Sequence, residues 1–232
     1  MKSKIKGIIF YSKKIKDHDL FLKILSSNDN ISSGIVYGGN SSKKKLIYQN
    51  GYFIDYLITK KNQNSVPIIS GDISKPFLGE IFEDKYKLNA LLSILSIINI
   101  SILEGQHIKG FYKCVFKLIT KIIHSNHWII DYCEWLFELL RIIGYQVDYN
   151  NNTKNNYFNI SIQEFTKHED KHTIRFPHDL FSEKRDINFM NIDLIFKIFE
   201  KIYSKNHLDN INYNMPINFL NFKRIILNHL KH

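Results

Sequence analysis

The residue types with most to offer in this chain are lysine and tyrosine. Three basic groups, Lys13-Lys14-Lys16, Lys43-Lys44-Lys45 and Lys60-Lys61, fall in polar breaks between apolar segments of the first 70 residues. Ammonium groups gathered in this way attract polyanions, above all the phosphate backbone of a nucleic acid. Tyr37 adjoins the turn that carries Lys43–Lys45, and Tyr11, Tyr48 and Tyr52 flank the same breaks. A tyrosine ring beside a charged groove can stack on a base, worth about 1–3 kcal/mol per base. A second constellation, Lys109, Lys113, Lys117 and Lys121, repeats every four residues. On a helix that spacing lines the four ammonium groups along one face. The repulsion costs about 0.2–0.5 kcal/mol per pair, which an acidic peptide or a phosphate lying across the stripe offsets. The plainer alternative is a solvated face opposite the apolar Val115, Leu118 and Ile122.

Other chemistry is poorly provided for. His168, Asp170 and His172 could share a metal if their segment were helical, but the stretch around them is polar and loop-like, which suits surface histidines. Cys114 and Cys133 sit in apolar, helical stretches, so neither a disulfide framework nor a cysteine-ligated zinc site is expected, and a reducing cytoplasm is. There is no Ser-His-Asp context, no glycine-rich phosphate loop and no carboxylate pair of the two-metal kind. The expectation is a binding protein without catalytic residues, metal or cofactor.

The elements that must position these residues change character along the chain. Residues 1–80 hold 13 lysines and no arginine against 6 acidic groups, whereas residues 81–232 hold 19 basic against 16 acidic. The first third therefore carries most of the net charge of +10. It also reads as five short strands, Ile5–Ser12, Leu20–Leu25, Ile31–Tyr37, Leu46–Thr59 and Val66–Ile69, separated by polar or glycine-bearing breaks. Five strands in so short a span suit a small closed barrel, and the OB-fold is the common barrel of this size that binds nucleic acid. From Pro76 onward the period becomes helical, with helices expected over Tyr86–Glu104, Lys109–Ile123, Trp128–Ile143, Asp193–Ser204 and Ile217–Leu230. The third should end on a left-handed cap at Gly144. An Asn-rich, irregular insert spans about 146–186, with a short hairpin at Tyr157–Ile162. The expected architecture is α+β: an OB-fold over 1–80 and a helical domain over 81–232. The run Gly7–Tyr11 is too short for the core of a signal peptide. Ala90–Leu103 falls short of the roughly 20 residues that cross a bilayer. A cytoplasmic protein without a membrane partner is expected.

The order of these motifs resembles the bacterial RecO family over nearly the whole chain. Gly7-Ile8-Ile9-Phe10-Tyr11 looks like the family's first barrel strand, and Gly34 through Lys45 like its basic, glycine-containing turn. Gln49-Asn50-Gly51 stands where the family usually reads Leu-Gln-Pro. Trp135 through Gly144-Tyr145 resembles the helix that ends in Leu-Gly-Tyr, and Met215-Pro216 to Leu230 the closing helix. The resemblance implies a non-enzymatic mediator of DNA repair and recombination, associated with the nucleoid. Such a protein binds single-stranded DNA, anneals complementary strands, and works with a RecR partner to load RecA on DNA coated by single-strand-binding protein. Two departures matter. The cysteines that hold zinc in many members are missing from Val147–Phe158, leaving a degenerate zinc-finger region. Cys133-Glu134 stands where some members place a basic pair beside the docking site for the acidic tail of single-strand-binding protein. The lysine stripe could receive that tail instead. The competing readings are an RNA-binding OB module in ribosome or tRNA metabolism and a nuclease using the His168–His172 region.

Overall fold

The computed structural model describes residues 4–15, 18–75, 78–183 and 185–231. Lys16, one of the expected contact residues, lies outside them. The chain divides into two compact units, Met1–Ile119 and Thr120–His232. The change from strand to helix comes earlier, between Lys75 and Leu78.

The first unit is built on a closed barrel in the order β1-β2-β3-β5-β4, from β1 (Ile5–Lys14), β2 (Leu20–Ser26), β3 (Ile31–Val36), β4 (Phe53–Thr59) and β5 (Ile68–Lys75). This is the five-stranded OB-type barrel expected from the sequence. Alternation explains it: Leu20, Leu22 and Ile24 of β2 join Ile9, Val36, Ile54, Tyr56 and Ile69 in one buried core, while the residues between them face outward. Closure depends on Gly34. The Ile35 amide donates to the Pro67 carbonyl at 2.8 Å, and a Cβ on Gly34 would stand 2.6 Å from that same oxygen.

Two strands differ from expectation. The segment expected as one long strand from Leu46 begins only at Phe53, because residues 37–50 form a chain of turns. The fifth strand starts at Ile68 rather than Val66 and runs to Lys75. Its polar residues Ser70, Asp72 and Ser74 hide a strand from a search for apolar runs.

Three helices complete or leave the first unit: α1 (Leu78–Phe82), α2 (Lys85–Ser101) and α3 (Phe111–His124). The Asp84 carboxylate accepts from the Tyr86 and Lys87 amides at 2.8 and 3.2 Å and so starts α2. Helix α3 is started from a distance: Asp29, in the β2–β3 turn, accepts from the Gly110 amide at 2.6 Å and the Tyr112 amide at 2.9 Å. Losing this charged cap should cost about 1–2 kcal/mol. Asp29→Asn, which keeps an accepting oxygen and tolerates the positive φ of 61°, should recover most of the loss of Asp29→Ala in thermal denaturation.

In the second unit, α4 (Trp128–Ile142), α6 (Phe189–Tyr203) and α8 (Ile217–His229) share an aromatic core. The Tyr132 ring lies 4.6 Å from Phe222 and 6.3 Å from Phe196. Helix α4 ends as expected on Gly144, at φ 96°, with the Gly144 amide donating to Arg141 and the Tyr145 amide to Leu140, a Schellman closure. The Tyr145 hydroxyl then donates to the Asn206 carbonyl at 2.7 Å, in the π-helical turn Ser204–Leu208 that precedes α7 (Asp209–Ile211).

The insert carries β6 (Tyr157–Asn159), β7 (Glu164–Thr166) and β8 (Thr173–Arg175), an antiparallel sheet in the order β7-β6-β8, then α5 (His178–Phe181). So small a sheet needs a staple, and here aromatic rings supply one. Phe165 packs 5.1 Å from both Phe158 and Phe176, and Tyr149 lies 4.7 Å from Phe181. Among the described residues no three His, Cys, Asp or Glu side chains converge on a point that could hold a metal ion.

Candidate nucleic-acid interface

The barrel register places the described members of the expected contact groups along one rim, a row of level residues that crosses all five strands. Reading across the sheet, Lys13 of β1 is level with Phe21 of β2, Phe21 with Ile35 of β3, Ile35 with Ile68 of β5, and Ile68 with Thr59 of β4. The breaks that follow β1 and β3 leave this row on one side, and the break after β4, which runs antiparallel to β1 and β5, leaves it on the other, so the lysine groups flank the row. Lys13 and Lys14 close β1, Lys43–Lys45 lie in the connection after β3, and Lys60 and Lys61 begin the loop after β4; all seven are exposed. Four inter-strand steps at about 4.8 Å make this rim roughly 19 Å long.

Local hydrogen bonds hold the loops in place. The Gly38 amide donates to Asp19 Oδ1 at 2.8 Å and the Asn40 amide to the His18 carbonyl at 2.8 Å, which ties the connection after β3 to the β1–β2 loop. Ser65 Oγ accepts from the Lys61 and Asn62 amides at 3.0 and 3.1 Å and shapes the β4–β5 loop. Lys44 Nζ reaches the Tyr37 carbonyl at 3.4 Å. The other described lysines of the rim are exposed, so a phosphate can meet them.

The tyrosines separate into two kinds. Tyr37 is 55% exposed beside the Lys43–Lys45 turn, and Tyr11 is half-buried on the outer face with Lys23 Nζ 5.6 Å from its ring centre. Tyr48 is different. It is buried, its hydroxyl donates to the Gly71 carbonyl at 3.0 Å, and burial pushes its pKa up. Tyr48 belongs to the core and cannot stack a base, and Tyr52 packs against the same core. Sequence reading missed Phe21, which shares the outer row with Lys13 and Ile35. Its signal was the alternation of Leu20, Leu22 and Ile24, which turns the intervening aromatic outward.

The lysine stripe does not survive as a unit. Lys109 precedes α3, because Gly110 at φ 82° breaks the backbone there. Lys113 and Lys117 are exposed on the helix, and Lys121 is paired with Asp131. Val115, Leu118 and Ile122 are buried as the opposite face requires. In the second unit, Lys121, Asp131, Glu134, Glu183 and Arg185 line a cleft of about 280 Å³ with charges of both signs. Next to it in sequence, burial and then the neighbouring Glu134 push the Cys133 thiol far up, so it stays protonated and unreactive at neutral pH. His168 and His172 lie in the turns between β7 and β8, where the His172 amide donates to Asp170 Oδ1 at 2.6 Å.

No family model matches the chain. Individual proteins do. Over 142 residues, 61% of this chain, it is 27% identical to the DNA repair protein RecO of Rickettsia canadensis (strain McKiel). It is 26% identical over 143 residues to the protein of the same name from Rickettsia bellii (strain OSU 85-389). A third, from Rickettsia akari (strain Hartford), is 27% identical over 142 residues. This similarity to several proteins named RecO supports membership of the RecO family. The matches span 58–59% of the relatives' own length. Among the described residues, no helix is long and apolar enough to cross a membrane.

Proposed function

We propose that the chain is a non-enzymatic DNA repair and recombination mediator. It would capture single-stranded DNA on the barrel rim, anneal complementary strands, and work with RecR to load RecA on DNA coated by single-strand-binding protein. The observation that supports this reading is that Lys13, Lys14, Lys43–Lys45, Lys60 and Lys61 flank one row of residues crossing an OB-type barrel. The rim continues onto an outer face bearing Phe21 and Tyr11. The names of the relatives support DNA over RNA as the polyanion. In this reading residues 1–80 are the nucleic-acid-binding domain and 81–232 the helical domain. No step requires covalent chemistry, since electrostatic capture and stacking suffice, and the site of action is the cytoplasmic nucleoid.

The test is to incubate the protein with labelled single-stranded DNA, complementary strands and RNA, each with and without magnesium. Binding and annealing of DNA without cleavage are expected. Preference for RNA would favour the ribosome or tRNA module, and magnesium-dependent cleavage would favour a nuclease.

The acidic tail of single-strand-binding protein is assigned to the exposed lysines at the start of α3. Changing Lys109 and Lys117 to Glu is expected to weaken a peptide with that tail's acidic sequence about tenfold, or 1.4 kcal/mol. Affinity for bare single-stranded DNA should change less than threefold. Equal loss of both, measured by anisotropy, would merge the two surfaces into one.

A further inference from the structure

Away from the rim, the first unit holds a cleft of about 260 Å³ lined by Lys6, Phe53, Asp55, Ser74, Tyr112 and Phe116, with Lys113 beside them. Lys6 and Asp55 are level on β1 and β4 and face out of the barrel. Tyr112 and Phe116, one turn apart on α3, form the opposite wall, with ring centres 6.1 Å apart and planes 28° from parallel. Phe53 meets Phe116 edge-on at 5.4 Å. On this aromatic floor Asp55 Oδ1 is buried and finds no hydrogen-bond donor among the described residues. Burial and then the Asp55 carboxylate raise the pKa of Tyr112, so ring and carboxylate share one space. An orphaned buried carboxylate oxygen is costly, and a ligand that donates to it recovers that cost.

The charges say which ligand. Asp55 repels a phosphate from the interior, while the exposed Lys6 and Lys113 attract one to the mouth. The same two ammonium groups disfavour an arginine side chain from a partner protein, which would otherwise suit a carboxylate between rings. A volume just below the 300–1,000 Å³ of drug-sized sites leaves room for one planar ring system.

We infer that this cleft holds one unstacked nucleobase, preferably guanine, whose N1–H and N2–H groups donate to the Asp55 carboxylate while its phosphate meets Lys6 and Lys113. Guanine presents two adjacent donors. Cytosine and adenine present an amino group next to an accepting nitrogen, and thymine and uracil place carbonyl oxygens on either side of their one donor. Asp55 lies five residues before Lys60, about 17 Å along β4. A strand leaving the rim can therefore reach the cleft. The inference rests on the rim as the main site for single-stranded DNA and adds a base preference to it.

The experiment compares an oligo(dT) with the same oligomer carrying dG, or inosine, at every third position. The wild-type protein should bind the dG oligomer about tenfold tighter than oligo(dT), with inosine, which lacks the N2 amino group, in between. Asp55→Asn should abolish the difference between the oligomers. Tyr112→Leu, which keeps an apolar helix residue, should reduce it. Equal wild-type affinity for all three oligomers, or an unchanged preference in Asp55→Asn, overturns the inference and leaves the rim standing. Failure of any oligomer to bind overturns the rim; the cleft is then judged by dGMP against dTMP. Selective shifts of the Tyr112 and Phe116 ring resonances with dGMP support the cleft. The same shifts with N-acetyl-arginine amide and none with dGMP contradict it.

Discussion

Replacing Lys43, Lys44 and Lys45 together by Glu is expected to lower the affinity for single-stranded DNA at least about 100-fold at ~0.1 M salt. Each phosphate contact to a single strand contributes about 0.7 to the log–log salt slope, so three contacts supply about two decades of affinity between 1 M and 0.1 M salt. Reversing the charges adds repulsion to that loss. The fold should be spared: the three side chains are exposed on a turn, and the bond from Lys44 Nζ to the Tyr37 carbonyl is long at 3.4 Å. Unfolding stability should stay within about 0.5 kcal/mol of the parent. Anisotropy titrations beside thermal melts check both halves. A loss of binding with a matching loss of stability would assign the effect to folding instead.

Phe222→Ala is expected to destabilise the second unit by about 3–5 kcal/mol. Phe222 is fully buried, and its ring lies 4.6 Å from Tyr132 of α4, 6.0 Å from Phe196 of α6 and 6.1 Å from Trp128. Removing it empties the point where three helices meet, and Tyr132 cannot move in to fill the hole while it also packs on Trp135 at 5.9 Å. The barrel core contains none of these residues. Proteolysis of the variant should therefore attack Thr120–His232 first, and bare single-stranded DNA should still bind. Equal protection of both units would contradict this division of stability.

The parts of the molecule that announce themselves in sequence are those with a strict period. The core strands β1 to β3, the helices α2, α4, α6 and α8, and the Gly144 cap each follow from apolar spacing or from a residue with one physical use. Helix α3 is also evident, but its start is not. Lys109 fits the four-residue spacing, and only the cap from Asp29, some 80 residues earlier, places the first turn at Phe111. Burial of Tyr48 was equally out of reach, because its partner is the Gly71 carbonyl on a strand whose polar residues conceal it. The rim could be drawn only in part. Three lysine groups are evident, but that they flank one row depends on the parallel contact between β3 and β5 at Ile35 and Ile68, a long-range pairing that no local pattern encodes. The Asp55 cleft rests on the same kind of information. Lys6, Asp55 and Tyr112 are far apart in sequence and meet only through the barrel register and the docking of α3.

The most direct test of the rim is the salt dependence of binding to an unstructured oligo(dT) between about 0.05 and 0.3 M monovalent salt. With Lys43–Lys45 alone in contact the log–log slope should be about −2, and with Lys13, Lys14, Lys60 and Lys61 also engaged about −5. A slope in that interval, reduced by about 2 in the Lys43, Lys44 and Lys45 to Glu variant, is the predicted result. A slope near zero, or one that the variant leaves unchanged, contradicts single-strand capture by this rim.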